Sequence, residues 1–357
     1  RSTLFPYTTL FRSLAEVFNG GSLKETSWRV GKAMTGTAPF MGMMTSEPTL
    51  LAAEGNSWLT DRIMAMDNRG NVFEVSTKSG SDDVSMKDWR IRTVATLRSR
   101  AQAENADSYA MPYRFAVRGR TKSDPSIWLA GGTADVGTRD NVMTGPFDDT
   151  ARLRNQRQMV FSFSLTVAES GSGTVYRDDM QSIDPEQGSS SSSSPRGWYM
   201  FLKNPVDEYG AEYASAQPVV MNGVLYVATF IPRHINPTQG SCDDNRIAGT
   251  SRLYALNVKT GKAERWKDGK KYISLAGTKI NSLSLSRQGG RDSLIVVWDV
   301  LDKTLAEQAK NDVIGKKDAK GIAGMTNALN IPGLPTSSPV DLRSEEHTSE
   351  LQSLGRI

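Results

Sequence analysis

Apolar residues recur along this chain in short runs with a period close to two, and turn residues punctuate them. Asp61 to Asp67 reads DRIMAMD and Asn71 to Val75 reads NVFEV, with Asn68-Arg69-Gly70 between them. A strand, a tight Gly turn and a second strand predict a hairpin. Trp89 to Leu97 (WRIRTVATL) alternates similarly, and Met159 to Val167 (MVFSFSLTV) reads as a further strand. Tyr113 to Val117 and Ile127 to Ala130 form a pair around Arg118-Gly119-Arg120. Gln217 to Phe230 (QPVVMNGVLYVATF) carries Asn222-Gly223, the strongest short hairpin signal in the chain. Arg252 to Val258, a turn at Lys259-Thr260-Gly261-Lys262, Ala263 to Trp266, Ile280 to Ser286 and Ser293 to Trp298 complete the expected strands. Helical periodicity is confined to Leu301–Val313 and, more weakly, Leu97–Asn105. Gly171 to Arg196 contains six consecutive serines, Ser189 to Ser194, and too little apolar surface to offset its ordering entropy. A mobile surface loop without chemistry is expected there.

Many short strands with Gly-centred hairpins predict an all-β sandwich, barrel or propeller. Internal repetition favours the propeller. The stretch PVVMNGVLYVATF…SRLYALNVKTGKAERW from Pro218 is echoed by EPTLL…TDRIMAMDNRGNVFEV from Glu47. Recurring strand units are what propeller blades require, and each blade buries its faces only against its neighbours. The expected fold is therefore an all-β, quinoprotein-like β-propeller, incomplete, with long polar loop insertions.

The ends bear on that incompleteness. Residues 1–13 (RSTLFPYTTLFRS) and 343–353 (RSEEHTSELQS) resemble translations of the forward and reverse adapters used in short-read sequencing. The organisation expected is an adapter-derived segment over 1–13, a partial propeller domain over 14–342 and a second adapter-derived segment over 343–357. Such scars are excluded from fold reasoning.

Charge and composition narrow the function classes. The formal net charge is +4, and +3 without the two tails, which is weak for this length and demands no nucleic-acid partner. No run of 18 apolar residues is present, so no membrane span is expected within the sequence. Cys242 is the single cysteine, open to a half-disulfide or a free thiol, and outside the tails His234 is the single histidine. That composition removes most metal and nucleophile constellations. His234 has no oriented partner suggested by sequence and reads as a surface-loop residue. Asp243, Asp244 and Asn245 read as a solvated polar loop. Trp89, Trp128, Trp198, Trp266 and Trp298 lie in or beside strands and are expected to fill sheet–sheet cores. Met41, Met43 and Met44 are expected to fill a core gap or an exposed face.

The order of short motifs resembles a known family. Gly197-Trp198-Tyr199-Met200-Phe201-Leu202 precedes Ala211 to Val220 (AEYASAQPVV), then Thr229-Phe230-Ile231-Pro232 and Leu253-Tyr254-Ala255-Leu256-Asn257. With Asp61 to Asp67, Gly70 to Phe73 and Ile127 to Asn141 upstream, this order resembles the C-terminal β-propeller of PilC/PilY-type proteins. These are the tip adhesins and assembly factors of type IV pili. The resemblance touches most of residues 47 to 300. It implies a non-enzymatic scaffold at the cell surface or pilus tip, exported through the periplasm. Implied partners are minor pilins or other tip components and a host or abiotic surface. The rival resemblance is to a fragment of a pyrroloquinoline-quinone-dependent (quinoprotein) dehydrogenase with the same propeller. Against it stand the absence of adjacent cysteines and of a dense carboxylate cluster in the strands.

The family often carries a calcium loop, D-x-D-x-D-G-x-x-D, ending at the position matching Asp61. Here the preceding ligand positions hold Ser57, Gly55 and Ala53, with Trp58 in place of the glycine. Glu54, Asn56 and Asp61 remain as weak calcium candidates, too few oxygens for a tight site on a cation that takes six to eight. No catalytic residue and no other cofactor is assigned.

Overall fold

The computed structural model describes residues 44–53, 56–76, 90–100, 109–121, 124–134, 157–169, 173–185, 196–203, 210–233, 248–266, 269–288, 291–315, 323–325 and 328–332. Both tails lie outside these residues, as do Met41, Met43, Glu54, Trp89, His234, Cys242, Asp243 to Asn245 and the serine run.

The chain is all-β, with strands gathered in four sheets among the described residues. The first contains β1 (Thr49–Ala53), β2 (Asn56–Met66), β3 (Asn71–Ser76) and β4 (Arg90–Thr96), an antiparallel meander, with β8 (Val175–Tyr176) added parallel to β4. The second contains β5 (Ala116–Arg118), β6 (Trp128–Gly132), β7 (Met159–Ser164) and β10 (Gly197–Phe201), with β9 (Gln181–Ile183) added parallel to β10. The third is built on β13 (Val224–Arg233), β14 (Ala248–Asn257) and β15 (Tyr272–Ala276). Its β11 (Tyr213–Ala214) and β12 (Val219–Met221) both pair with β13. The fourth runs β16 (Thr278–Gln288), β17 (Arg291–Val300), β19 (Ala328–Pro332) and β18 (Ala323–Met325). A short helix α1 (Leu165–Glu169) follows β7, and α2 (Lys303–Gly315) joins β17 to β18.

Alternation along the strands explains how the sheets stack. On β7, Met159, Phe161 and Phe163 join a core with Met64, Met66 and Val72 of the first sheet, while Val160 turns the other way. On β13, Leu225 and Val227 pack with Trp128, Trp198 and Met200 of the second sheet. The intervening Val224, Tyr226 and Ala228 pack with Leu283, Leu294, Val296 and Trp298 of the fourth. Successive side chains of a strand point to opposite faces. A middle strand with apolar residues at both parities is therefore buried on both sides. The four sheets follow one another in chain order, each packed on the next. Trp128, Trp198 and Trp298 sit in these intersheet cores, and Trp266 packs against the last of them.

Most expected strands are present, with three differences. Ala263–Trp266 is not a strand: Ala263 makes only an isolated bridge to Leu256, and the partner of β14 is β15. Val167 lies in a helix, because β7 ends at Ser164, whose hydroxyl accepts the Val167 N–H at 3.2 Å. The stretch from Gly171 to Arg196 was expected to be a mobile loop, yet its residues 173–185 are built into the fold. Val175 completes an edge of the first sheet and Ile183 an edge of the second, with Val175, Met180 and Ile183 all buried. Three well-spaced apolar anchors suffice when two sheet edges are ready to accept the backbone.

The echo between the two repeat segments is an echo of turns. Asp67 Oδ1 accepts the Arg69 and Asn71 N–H groups at 2.9 and 2.8 Å. Asn257 Oδ1 accepts the Lys259 and Thr260 N–H groups at 2.9 and 3.1 Å. Each turn closes on a left-handed glycine, Gly70 (φ 80°) and Gly261 (φ 65°). The first turn joins the second and third strands of its sheet, whereas the second follows β14 toward the isolated bridge at Ala263. The shared sequence encodes side-chain capping of the backbone, a property of Asx turns.

A Cβ at Gly261 would overlap the Ile183 side chain and sit about van der Waals distance or less from the Trp198 ring. Gly261→Ala should therefore destabilise the protein by about 1–3 kcal/mol, combining left-handed strain with overpacking. Urea unfolding reports this as a lower midpoint at unchanged slope. An unchanged midpoint would show that the turn is not held against β9 and β10.

Candidate functional site

A fully enclosed polar cluster lies where the third sheet meets the chain leaving β10 of the second. Glu212, just before β11, is fully buried. Its Oε1 accepts the Thr229 hydroxyl at 2.6 Å and the Tyr254 hydroxyl at 2.9 Å. Its Oε2 accepts Arg252 Nη1 and the Lys203 N–H, both at 3.1 Å. Thr229 on β13 and Arg252 on β14 are register partners, so strand pairing brings both to the carboxylate. Arg252 also lies over the Tyr272 ring, 4.1 Å from its centroid.

The electrostatics follow from enclosure. Burial lowers the Arg252 guanidinium, but the Glu212 carboxylate and the neighbouring tyrosine oxygens outweigh it and hold its pKa above its ordinary value. Burial pushes the Tyr254 phenol well above 10.0, and the Glu212 charge pushes the same way. The phenol is therefore a neutral donor at any physiological pH. A carboxylate offers about four acceptor positions, and the four donors to Glu212 fill them. With its acceptor positions filled, this cluster ties the third sheet to the chain leaving the second and leaves no open carboxylate oxygen for a ligand.

Further polar pins line the same junction. The Val258 carbonyl accepts Ser162 Oγ at 2.7 Å and Trp198 Nε1 at 3.0 Å. Asp124, in the β5–β6 connection, forms ion pairs with Lys259 and with Arg118 Nη1, the latter at 2.8 Å. Burial raises the Asp124 carboxyl, but Lys259, the Ser126 N–H and Arg118 together carry it well below the ordinary 3.8. At the junction of the first and second sheets, Asp179 is likewise raised by burial and lowered further by the Tyr176 N–H, Arg100 and Arg196.

The calcium candidates divide. Asn56 and Asp61 both fall within β2, and Glu54 lies outside the described residues. Among the described residues no group of three His, Cys, Asp or Glu is placed to hold a metal ion. Sequence reasoning missed Glu212, Arg252 and Tyr254. A signal was present: Arg252 and Tyr254 occupy the same face of β14 as Leu256, so an arginine at a core-facing position required a buried counter-charge.

The class of protein this defines is an all-β chain of successive, face-packed antiparallel sheets held by polar pins. No family model matches the chain, and no curated protein matches it. Among solved structures it is similar to hydrazine synthase from Kuenenia stuttgartiensis, at 8% identity and a TM-score of 0.31. That match covers 79% of this chain and 61% of the other, so this chain spans less than two thirds of that protein. A likeness at this level carries no argument about fold or activity.

Glu212→Gln should cost about 3 kcal/mol or more, because Arg252 is left as a buried charge without its counter-ion. Denaturant unfolding measures it; a loss under about 1 kcal/mol would mean the network is solvated like a surface pair. Asp124 and Asp179 have depressed folded-state values, so their contribution is fully present above the unfolded value of 3.8. It is lost as pH falls below that value toward the folded ones. Stability should therefore drop on acidification below about pH 4, and less steeply in Asp124→Asn than in the parent.

Proposed function

We propose that the chain is a non-enzymatic β-propeller domain of a type IV pilus biogenesis and tip-adhesion protein. The observation that carries this reading is the succession of four sheets, each packed face to face on the next in chain order. Propeller blades are built in that way. The motif order supports it further: DRIMAMD and NVFEV form the β2–β3 hairpin, and LYALN ends β14 at its capped turn. The saturated Glu212 cluster supports a scaffold in preference to a catalyst.

On this reading the propeller presents loops to minor pilins and to a host or abiotic surface. A rigid scaffold with variable loops is the physical mechanism. The site of action is the pilus tip outside the cell, reached through the periplasm. No helix among the described residues is long and apolar enough to cross a membrane. Calcium at Glu54, Asn56 and Asp61 would be an accessory of the scaffold, and no nucleic acid is required.

Deletion of the gene should reduce surface piliation, and the purified full chain should co-purify with minor pilins. A normally piliated deletion strain would overturn the reading. A quinone absorbance band after reconstitution with pyrroloquinoline quinone would replace it with the dehydrogenase.

A further inference from the structure

Most sheet edges among the described residues are short, irregular or covered. β5, β8, β9, β11, β12 and β18 have two or three residues each. β1 carries two register shifts, and α2 packs against β15. Shortening, bulging and covering keep an open edge from pairing with another chain. β16 is the exception. It is eleven residues long and lies at one end of the fourth sheet, with β17 on one side. Its protection is confined to its start, where the register shifts between Ile280 and Ser282 and Ser251 of the third sheet takes the Ile280 N–H at 2.8 Å. From Ser282 to Ser286, no described backbone group is bonded on the side away from β17. The next charged residue is Arg287, paired with Asp292 at 3.7 Å.

That uncovered stretch reads Ser-Leu-Ser-Leu-Ser, the same in both directions about Ser284. Leu283 and Leu285 turn into the core shared with the third sheet. Ser282, Ser284 and Ser286 are half-buried on the opposite face, with the Ser282 and Ser284 hydroxyls 3.4 Å apart. We infer that β16 pairs antiparallel with β16 of a second copy of this chain, about a twofold axis at Ser284. The palindrome decides the occupant, because an isologous contact requires one patch to complement itself. Pairing about Ser284 sets that residue opposite its own equivalent, Ser282 opposite Ser286 and Leu283 opposite Leu285. Hydroxyls then meet hydroxyls and leucines meet leucines, matches that stabilise cross-strand pairs. Asn281 falls opposite Arg287, so no like charges face each other. A foreign strand would supply the same backbone bonds without this match on both faces. The inference concerns assembly of the chain and stands apart from the pilus reading.

The test is sedimentation velocity of the purified full chain over a concentration series. A shift from monomer to dimer with rising concentration is expected, with no larger species, since a twofold contact closes on itself. Ser284→Lys and Ser284→Glu should each weaken the dimer by about tenfold, because like charges then meet on the axis. An equimolar mixture of the two variants should restore it. Ser282→Lys combined with Ser286→Glu, which meet across the axis as opposite charges, should tighten it severalfold, and a gain cannot come from misfolding. Val297→Lys, exposed on the serine face of β17 one strand in from the edge, should keep the dimer. Monomer throughout the series, species beyond the dimer, or no recovery in the mixture together with no gain in the double variant would overturn the inference. So would loss of the dimer in Val297→Lys with none in the Ser284 variants, which would mean that faces stack and edges do not pair.

Discussion

Two-sided burial of the middle strands is the constraint on which the rest depends. A strand such as β13, with apolar residues at both parities, cannot leave either face in water without exposing a row of Leu, Val, Tyr and Phe. The second and third sheets therefore require a neighbour on each side, whereas β17 of the fourth alternates buried Leu294, Val296 and Trp298 with exposed Val297 and ends on exposed Val300. The hydrophobic term is roughly proportional to apolar area and non-directional. It makes sheets stack, but it does not fix how one slides on another.

Sliding is limited by the polar pins. Glu212 gathers Thr229, Arg252 and Tyr254 of the third sheet and takes the Lys203 N–H from the chain leaving β10 of the second. The Val258 carbonyl with Ser162 and Trp198, and Asp124 with Arg118 and Lys259, bind at others. Between the third and fourth sheets, Ser251 plays this part, donating to the Thr278 carbonyl at 3.0 Å and accepting the Ile280 N–H at 2.8 Å. Burying such groups gains little net free energy, because desolvation offsets most of the attraction. Their contribution is directional: a hydrogen bond has one good geometry, whereas two greasy faces have many.

Much of this was legible in the sequence, and the rest was not for identifiable reasons. Asn222-Gly223 had to be a two-residue turn, and both residues do take positive φ, 54° and 79°. Leu301–Val313 read as a helix, and α2 follows that span, with Ala306, Ala309 and Val313 turned inward. MVFSFS read as an alternating strand, and its serines are buried with the rest: Ser162 Oγ donates to the Val258 carbonyl and Ser164 Oγ accepts the Val167 N–H. Residues 173–185 looked too polar to order, since composition does not reveal a waiting sheet edge. Glu212 was missed because its side-chain donors lie 17 to 42 positions away and its nearest donor, the Lys203 N–H, is a backbone group 9 positions away.

The segment carrying β8 and β9 is a strap. It lends one parallel strand to the first sheet and, a few residues later, one to the second. Its release would uncover backbone donors and acceptors on β4 and β10 together. Two adjacent unpaired edges are a template for foreign strands. The same thirteen residues that join two sheets thus guard the molecule against self-association, and a nick or substitution there would surface as loss of solubility.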